Sequence, residues 1–96
     1  MSDKRLNDYV SLLKVLADDS RLRILVMLQK KKMTATEILK ELNGIKQSTL
    51  SYHLCQMVDA GLLDSVTDWK WTTYSVNKNG VKEINKFFEQ VAETEY

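Results

Sequence analysis

Ninety-six residues, 44% hydrophobic and 28% charged, are enough for one domain with a modest core and too few for two. No apolar run approaches the length a bilayer requires, one cysteine cannot close an intramolecular disulfide, and three glycines offer no glycine-rich phosphate loop. These numbers argue against a membrane protein, a disulfide scaffold and a nucleotide-binding enzyme. The formal charge of +1 is unevenly spread: Ser20–Gln56 holds seven basic residues (Arg21, Arg23, Lys30, Lys31, Lys32, Lys40, Lys46) against two acidic ones (Glu37, Glu41), a net of +5, between mildly acidic flanks. Such a block is either a solvated face or a surface for a polyanion. Met1–Lys14 has no signal-peptide pattern, so a reducing cytoplasm is the expected setting.

Leu6, Tyr9, Val10, Leu13 and Leu16 recur at helical spacing and predict an amphipathic first helix over residues 3–16. Asp18, Asp19 and Ser20 supply an N-cap and first-turn negative charge for a second helix. Leu22, Leu25, Val26 and Leu28 carry that helix up to the lysine triplet at 30–32. Thr34-Ala35-Thr36-Glu37 is a capping box opening a third helix, with Ile38, Leu39 and Leu42 inward and Asn43-Gly44 closing it. A fourth helix is predicted from Gln47 to Ala60, with Gly61 at its C-terminal stop. Two short helices around a tight glycine-containing turn, residues 34–60, have the form of a helix-turn-helix.

After Gly61 the period changes to that of two strands over residues 62–77, with Asp68-Trp69-Lys70 as the hairpin tip. A fifth helix is expected over 80–96, with Val81, Ile84, Phe87, Phe88 and Val91 on one side. The order helix, helix, helix-turn-helix, β-hairpin, helix describes a mainly α fold with one β-hairpin: a single winged helix-turn-helix domain over residues 1–96.

The stretch KQSTLSYHLCQMVDAGLL, Lys46–Leu63, contains the only histidine and the only cysteine. Wound at about 100° per residue, Leu50, Leu54, Met57 and Val58 share one arc, while Ser48, Ser51, Tyr52 and Cys55 face outward. His53 lies on the flank, roughly 160° round from Cys55, and helical metal pairs need i, i+3 or i, i+4 spacing instead. No metal site is expected from this pair. Small hydroxyls, a tyrosine and the Gln47 amide suit base edges and phosphates, and recognition helices put their N-terminal residues into the major groove. The candidate DNA contacts are Lys46, Gln47, Ser48, Thr49, Ser51 and Tyr52.

Three segments, LKVLADDSRLRIL, IKQSTLSYHLCQMVDAGLL and WTTYSVN, carry a resemblance to the ArsR-type (arsenic-repressor) family of winged-helix transcription factors, over roughly Leu12–Asn77. The resemblance implies a homodimer joined through its first and last helices, repression by occupying a promoter palindrome, and DNA contact through Gln47, Ser48, Ser51 and Tyr52. It also implies wing-tip contact with the backbone, for which Lys70 is the candidate. Asp19 stands where the family usually has proline, Lys46 where it has a serine cap, and Cys55 where lysine is common. The family's metal-sensing positions are unfilled: Met33–Glu37 has no cysteine, and the last helix has neither histidine nor cysteine. The chain resembles the family's metal-independent members, so no cofactor is expected and the inducer is unknown.

Other residues receive specific expectations. Cys55 is a possible redox position, although no strong cation lies near it in sequence. His53 is expected to pack or hydrogen-bond at the helix–wing junction. Trp69, Trp71 and Tyr74 form an aromatic set of which at least one tryptophan is expected to pack on the core. Leu6, Tyr9, Val10 and Leu13, with Val81, Ile84, Phe88 and Val91, are the candidate dimer interface. The expected partners are double-stranded DNA and a second copy of the chain, with no membrane. The alternative is a winged helix used as a protein-interaction module without sequence-specific DNA binding. An enzyme is disfavoured because no catalytic set has plausible geometry.

Overall fold

The chain runs α1 (Asp3–Leu16), α2 (Asp19–Lys30), β1 (Met33–Thr34), α3 (Ala35–Leu42), α4 (Gln47–Asp59), β2 (Leu63–Asp68), β3 (Trp71–Val76) and α5 (Lys78–Ala92) in the computed structural model, which describes all 96 residues. Four of the five helices begin at a side chain that satisfies an orphan backbone N–H. Ser2 accepts from the Arg5 N–H, Asp18 from Arg21, Thr34 from Glu37 and Asn77 from Gly80. At α3 the bond is reciprocal, because the Glu37 carboxylate accepts from the Thr34 N–H at 3.0 Å, completing the capping box. Lys46, ahead of α4, makes no side-chain cap bond.

The two turns flanking α4 rely on backbone that few residues adopt. Asn43 (φ 44°) and Gly44 (φ 99°) bend α3 into α4. At the other end, Gly61 (φ 75°) donates to the Val58 carbonyl and Leu62 to that of Met57, both at 3.0 Å. That pair of bonds is a Schellman stop, with Leu62 and Met57 both buried. The turn is then pinned to α5: Asn77 donates its N–H to the Leu62 carbonyl and its side-chain amide to Asp64, and a Cβ on Gly80 would overlap the Gly61 carbonyl oxygen.

Two elements differ from expectation. α5 starts at Lys78 rather than Gly80, because Asn77 is the cap and Gly80 sits inside the first turn, where its missing side chain permits the approach to Gly61. The helix also ends at Ala92, short of residue 96. A short strand that the sequence pattern does not announce, β1, pairs antiparallel with β3 (Met33 opposite Tyr74, Thr34 opposite Thr73), giving a three-stranded sheet ordered β1-β3-β2. Two residues carry no periodic signal, and their strand exists only because β3 returns alongside them.

The core gathers Ile24 and Leu28 of α2, Met33, Ile38 of α3, Leu50, Leu54 and Met57 of α4, and Leu63 at the foot of the wing. Of the apolar residues that predict the second helix, Leu28 is buried and Leu25 exposed only in part of its surface, whereas Leu22 and Val26 face solvent and Ile24 takes the core position. Beyond Leu63 every residue of β2 is exposed, whereas β3 stays half-buried from Thr72 to Val76, with Tyr74 and Val76 against the core.

Candidate nucleic-acid interface

α4 divides cleanly into two faces. Leu50, Leu54 and Met57 are almost fully buried, and Lys46, Gln47, Ser48, Thr49, Ser51 and Tyr52 are all exposed. The exposed set starts at the helix N-terminus, where backbone N–H groups and the positive dipole end also point outward and favour phosphate. The missing cap bond at Lys46 leaves those donors free of a side-chain partner.

His53 holds this helix to α2. It is 8% exposed, and its Nδ1 accepts a hydrogen bond from Arg21 Nε at 2.9 Å. A guanidinium only donates, so Nδ1 is the acceptor and the neutral ring carries its hydrogen on Nε2, which faces Asp18 Oδ1 at 3.9 Å. Arg21 also donates from Nη1 to the Val15 carbonyl near the end of α1 (3.0 Å) and lies 5.6 Å from the centre of the Tyr52 ring. Asp18, the α2 cap, accepts from the Arg21 N–H. One arginine thus joins the end of α1, the start of α2 and the outward face of α4. The histidine does bond, as expected, but to α2 rather than at the wing, because its flank of α4 faces the α2 N-terminus. In the sequence Arg21 is visible only as a member of the basic block and of the segment LKVLADDSRLRIL, neither of which points to His53. The signal that points to such a partner is the need of a buried histidine for a hydrogen bond.

Cys55 is exposed, and its thiol donates to Asp59 Oδ2 at 3.7 Å. A carboxylate neighbour is the reverse of the electropositive surroundings that make a thiol reactive. At the wing tip, Lys70 Nζ stands 5.2 Å from the Trp69 ring centre and 5.7 Å from that of Trp71. Both tryptophans are exposed, which corrects the expectation that one would pack on the core: they flank the hairpin tip, beyond the half-buried stretch Thr72–Val76 of β3. Tyr74, half-buried beside the core, takes that role.

The terminal helices pack on each other, with the Tyr9 and Phe87 rings 5.1 Å apart. Tyr9 and Ile84 are buried within the protomer, Val81 is half-buried, and Leu6, Val10, Leu13, Phe88 and Val91 remain exposed. No three His, Cys, Asp or Glu side chains gather where they could hold a metal ion.

Residues 16–66, from the end of α1 to the middle of β2, match the family model described as a helix-turn-helix domain. The chain is 37% identical over 79 residues to the arsenical resistance operon repressor of Bacillus subtilis (strain 168), covering 82% of this chain and 75% of that one. The chain belongs to the ArsR-type family of winged-helix transcriptional regulators. The HTH-type transcriptional regulator YgaV of Escherichia coli (strain K12) is 36% identical over 74 residues, 77% of this chain and 75% of that protein. Among solved structures, HlyU from Vibrio cholerae N16961 superposes with a TM-score of 0.76 at 28% identity, over 94% of this chain and 97% of the other.

Membership makes this ArsR-type chain a DNA-binding transcriptional regulator, and the two relatives named for a function are regulators rather than enzymes. Its departures from the family wording now have structural places. Asp19, in the usual proline position, ion-pairs with Arg23 at 2.8 Å on the surface of α2 and holds that guanidinium's pKa above its ordinary value, through a hydrogen bond and its charge. Lys46 is the uncapped start of α4. No helix is long and apolar enough to cross a membrane.

Proposed function

We propose that this regulator is a homodimeric repressor that occupies a palindromic operator, each protomer laying the N-terminal half of α4 in a major groove. The observation that carries this reading is the run Lys46–Thr49, continued by Ser51 and Tyr52: every candidate contact on this helix is exposed at one end, while the opposite face is core. Gln47 offers a bidentate amide for a base edge, Ser48, Thr49 and Ser51 offer hydroxyls, and Lys46 and Lys70 supply phosphate charge. Two copies of α4 set about 34 Å apart would read successive grooves on one side of the duplex. Binding acts by occupancy, without catalysis, metal or cofactor, in the cytoplasm where promoter DNA lies.

The test is selection of a duplex from random sequence, followed by titration at two salt concentrations against a scrambled duplex. Sequence-dependent binding that weakens steeply with salt, and that Gln47→Ala with Ser51→Ala removes while dimerisation is spared, is expected. Equal weak affinity for both duplexes would assign the exposed face to a protein partner instead.

A further inference from the structure

One cavity of the chain stands out by its walls. It holds about 610 Å³, within the ~300–1,000 Å³ usual for small-molecule sites. The end of α2, the end of β3 and the first turn of α5 border it. Leu25, Val26 and Leu28 of α2, Val76 of β3 and Val81 of α5 line it with carbon. Val26 is 59% exposed there. Apolar surface gathered in the open, rather than scattered singly, marks a place where something binds.

The rim of this cavity is cationic. Lys31, Lys32 and Lys78 stand on it, and no carboxylate does. The close acid–base contacts of the chain, Arg23–Asp19, His53–Asp18 and Lys86–Glu83, involve none of these three lysines. Lys31 has a local reason for its place: it caps the C-terminal end of α2, where the dipole favours a cation, and its charge acts on the Glu37 carboxyl. Lys78 has the opposite setting. It is the first residue of α5, at the positive end of the dipole where an acid is preferred, and that first turn contains no acidic residue. A duplex does not account for the combination, since phosphate needs the lysines but not an apolar floor. The groove on the other side of Val26, about 720 Å³, sets Asp19 and Glu41 beside Arg23 and so presents no single sign of charge.

We propose that this cavity binds a small amphipathic organic anion, a carboxylate with an apolar body, which lies on Leu25, Val26, Val76 and Val81 while Lys32 and Lys78 hold its charged end. Burial of the apolar body supplies affinity, and the two ammonium groups select the sign of the charge. The proposal stands apart from the placement of α4 on DNA, for it requires neither a duplex nor a second copy of the chain.

The test titrates the isotope-labelled full chain with decanoate, below its micelle concentration, and follows the backbone amides by NMR. Saturable shifts are expected at Leu25–Lys32 and Ser75–Val81. Acetate keeps the charge without the tail, and decyltrimethylammonium keeps the tail with the opposite charge. Each is expected to bind about tenfold more weakly or worse. Lys78→Glu is the decisive variant, since an acid at the first position of α5 suits the dipole and the melting temperature should equal or exceed that of the parent. Its decanoate affinity should nevertheless fall about tenfold or more, while Lys78→Arg should keep most of it. No saturable shift in the parent, or full affinity in Lys78→Glu, would overturn the proposal. Equal binding of decanoate and decyltrimethylammonium would reduce the cavity to bare apolar surface, and equal binding of decanoate and acetate would reduce it to a lysine cluster; either result also overturns it. So would shifts centred on Leu13 and Phe88, or cavity shifts that follow protein concentration without decanoate, which would assign the cavity to a second copy of the chain.

Discussion

Arg21 concentrates more of the site's geometry than any other side chain. It donates to a ring nitrogen on α4 and to a carbonyl of α1, and it lies over the face of Tyr52. A planar guanidinium with several fixed donors can do this, and a lysine ammonium cannot reach the same set. Arg21→Lys is therefore expected to lower stability by about 1–3 kcal/mol, since His53 Nδ1 loses its partner in a nearly closed environment. His53→Ala should act similarly, leaving the guanidinium donor unmet, whereas His53→Gln, which keeps an acceptor, should recover part of the loss. Denaturant unfolding checks all three. Additive effects of the two alanine variants, Arg21→Ala and His53→Ala, would show that the bond does not couple them. Because Tyr52 leans on the same guanidinium, Arg21→Lys should also weaken duplex binding beyond any loss of fold.

At the scale of the element, helix starts govern both stability and binding. Lys46 is the uncapped start of α4. Lys46→Ser is expected to add a cap bond worth about 1 kcal/mol. On the proposed placement of α4 the same change removes a phosphate-facing cation, so the salt slope of duplex binding should become shallower by about 0.9. Thermal melts and salt titrations should thus move in opposite functional senses, and a variant that loses stability would refute the assignment of Lys46 as cap. At α3, the Glu37 carboxyl is held below its ordinary range by the hydrogen bond from the Thr34 N–H, then by the Thr34 hydroxyl, with the Lys31 charge adding to these. A carboxyl depressed by folding contributes stability that is complete above its unfolded value and disappears as pH falls through the lower folded one. Melting temperature should therefore decline on the acid side of the ordinary glutamate range. Glu37→Gln should flatten that decline without abolishing it, because Lys86 lowers Glu83 in the same way. An unchanged acid limb in Glu37→Gln would remove the capping box from the account.

Caps also explain which elements are legible in the sequence. Asp18, the Thr34–Glu37 box, Asn43-Gly44 and Gly61 are local signals, and the helix bounds they imply agree with the structure to within about a residue or two. The α5 start differs because Gly80 resembles a boundary in the sequence, whereas the true cap is Asn77. What depends on distant partners stays hidden: β1 requires β3, and the bond to His53 comes from an arginine 32 residues earlier in the chain. A helical wheel gives the direction of a side chain but not what it meets. The outward face of α4 is legible for the complementary reason, since its residues point away from the core that the wheel locates.

The whole molecule is elongated, 51 × 27 × 24 Å, and leaves an apolar stripe uncovered. Tyr9, packed on Phe87, joins α1 to α5 and Ile84 is buried, while Leu6, Val10 and Leu13 follow helical spacing along the open side of α1, and Phe88 and Val91 stand half in solvent on α5. One α1–α5 pair buries only the inner part of this apolar surface. A two-fold partner would bury the rest and, in the same step, present two α4 helices to one duplex. Leu13→Glu and Phe88→Glu each place a charge on that stripe at positions already exposed in the protomer, so the fold should tolerate them while a pair would not. Sedimentation should give a dimer for the parent chain and a monomer for each variant. Melting temperature should rise with concentration in the parent and lose that dependence in the variants. Affinity for the full selected duplex should fall by about a hundredfold or more, the loss expected when two linked half-sites become independent, while affinity for an isolated half-site should hold. A parent chain that sediments as a monomer at micromolar concentration, and binds half-site and full duplex alike, would mean that the stripe serves something other than a second copy.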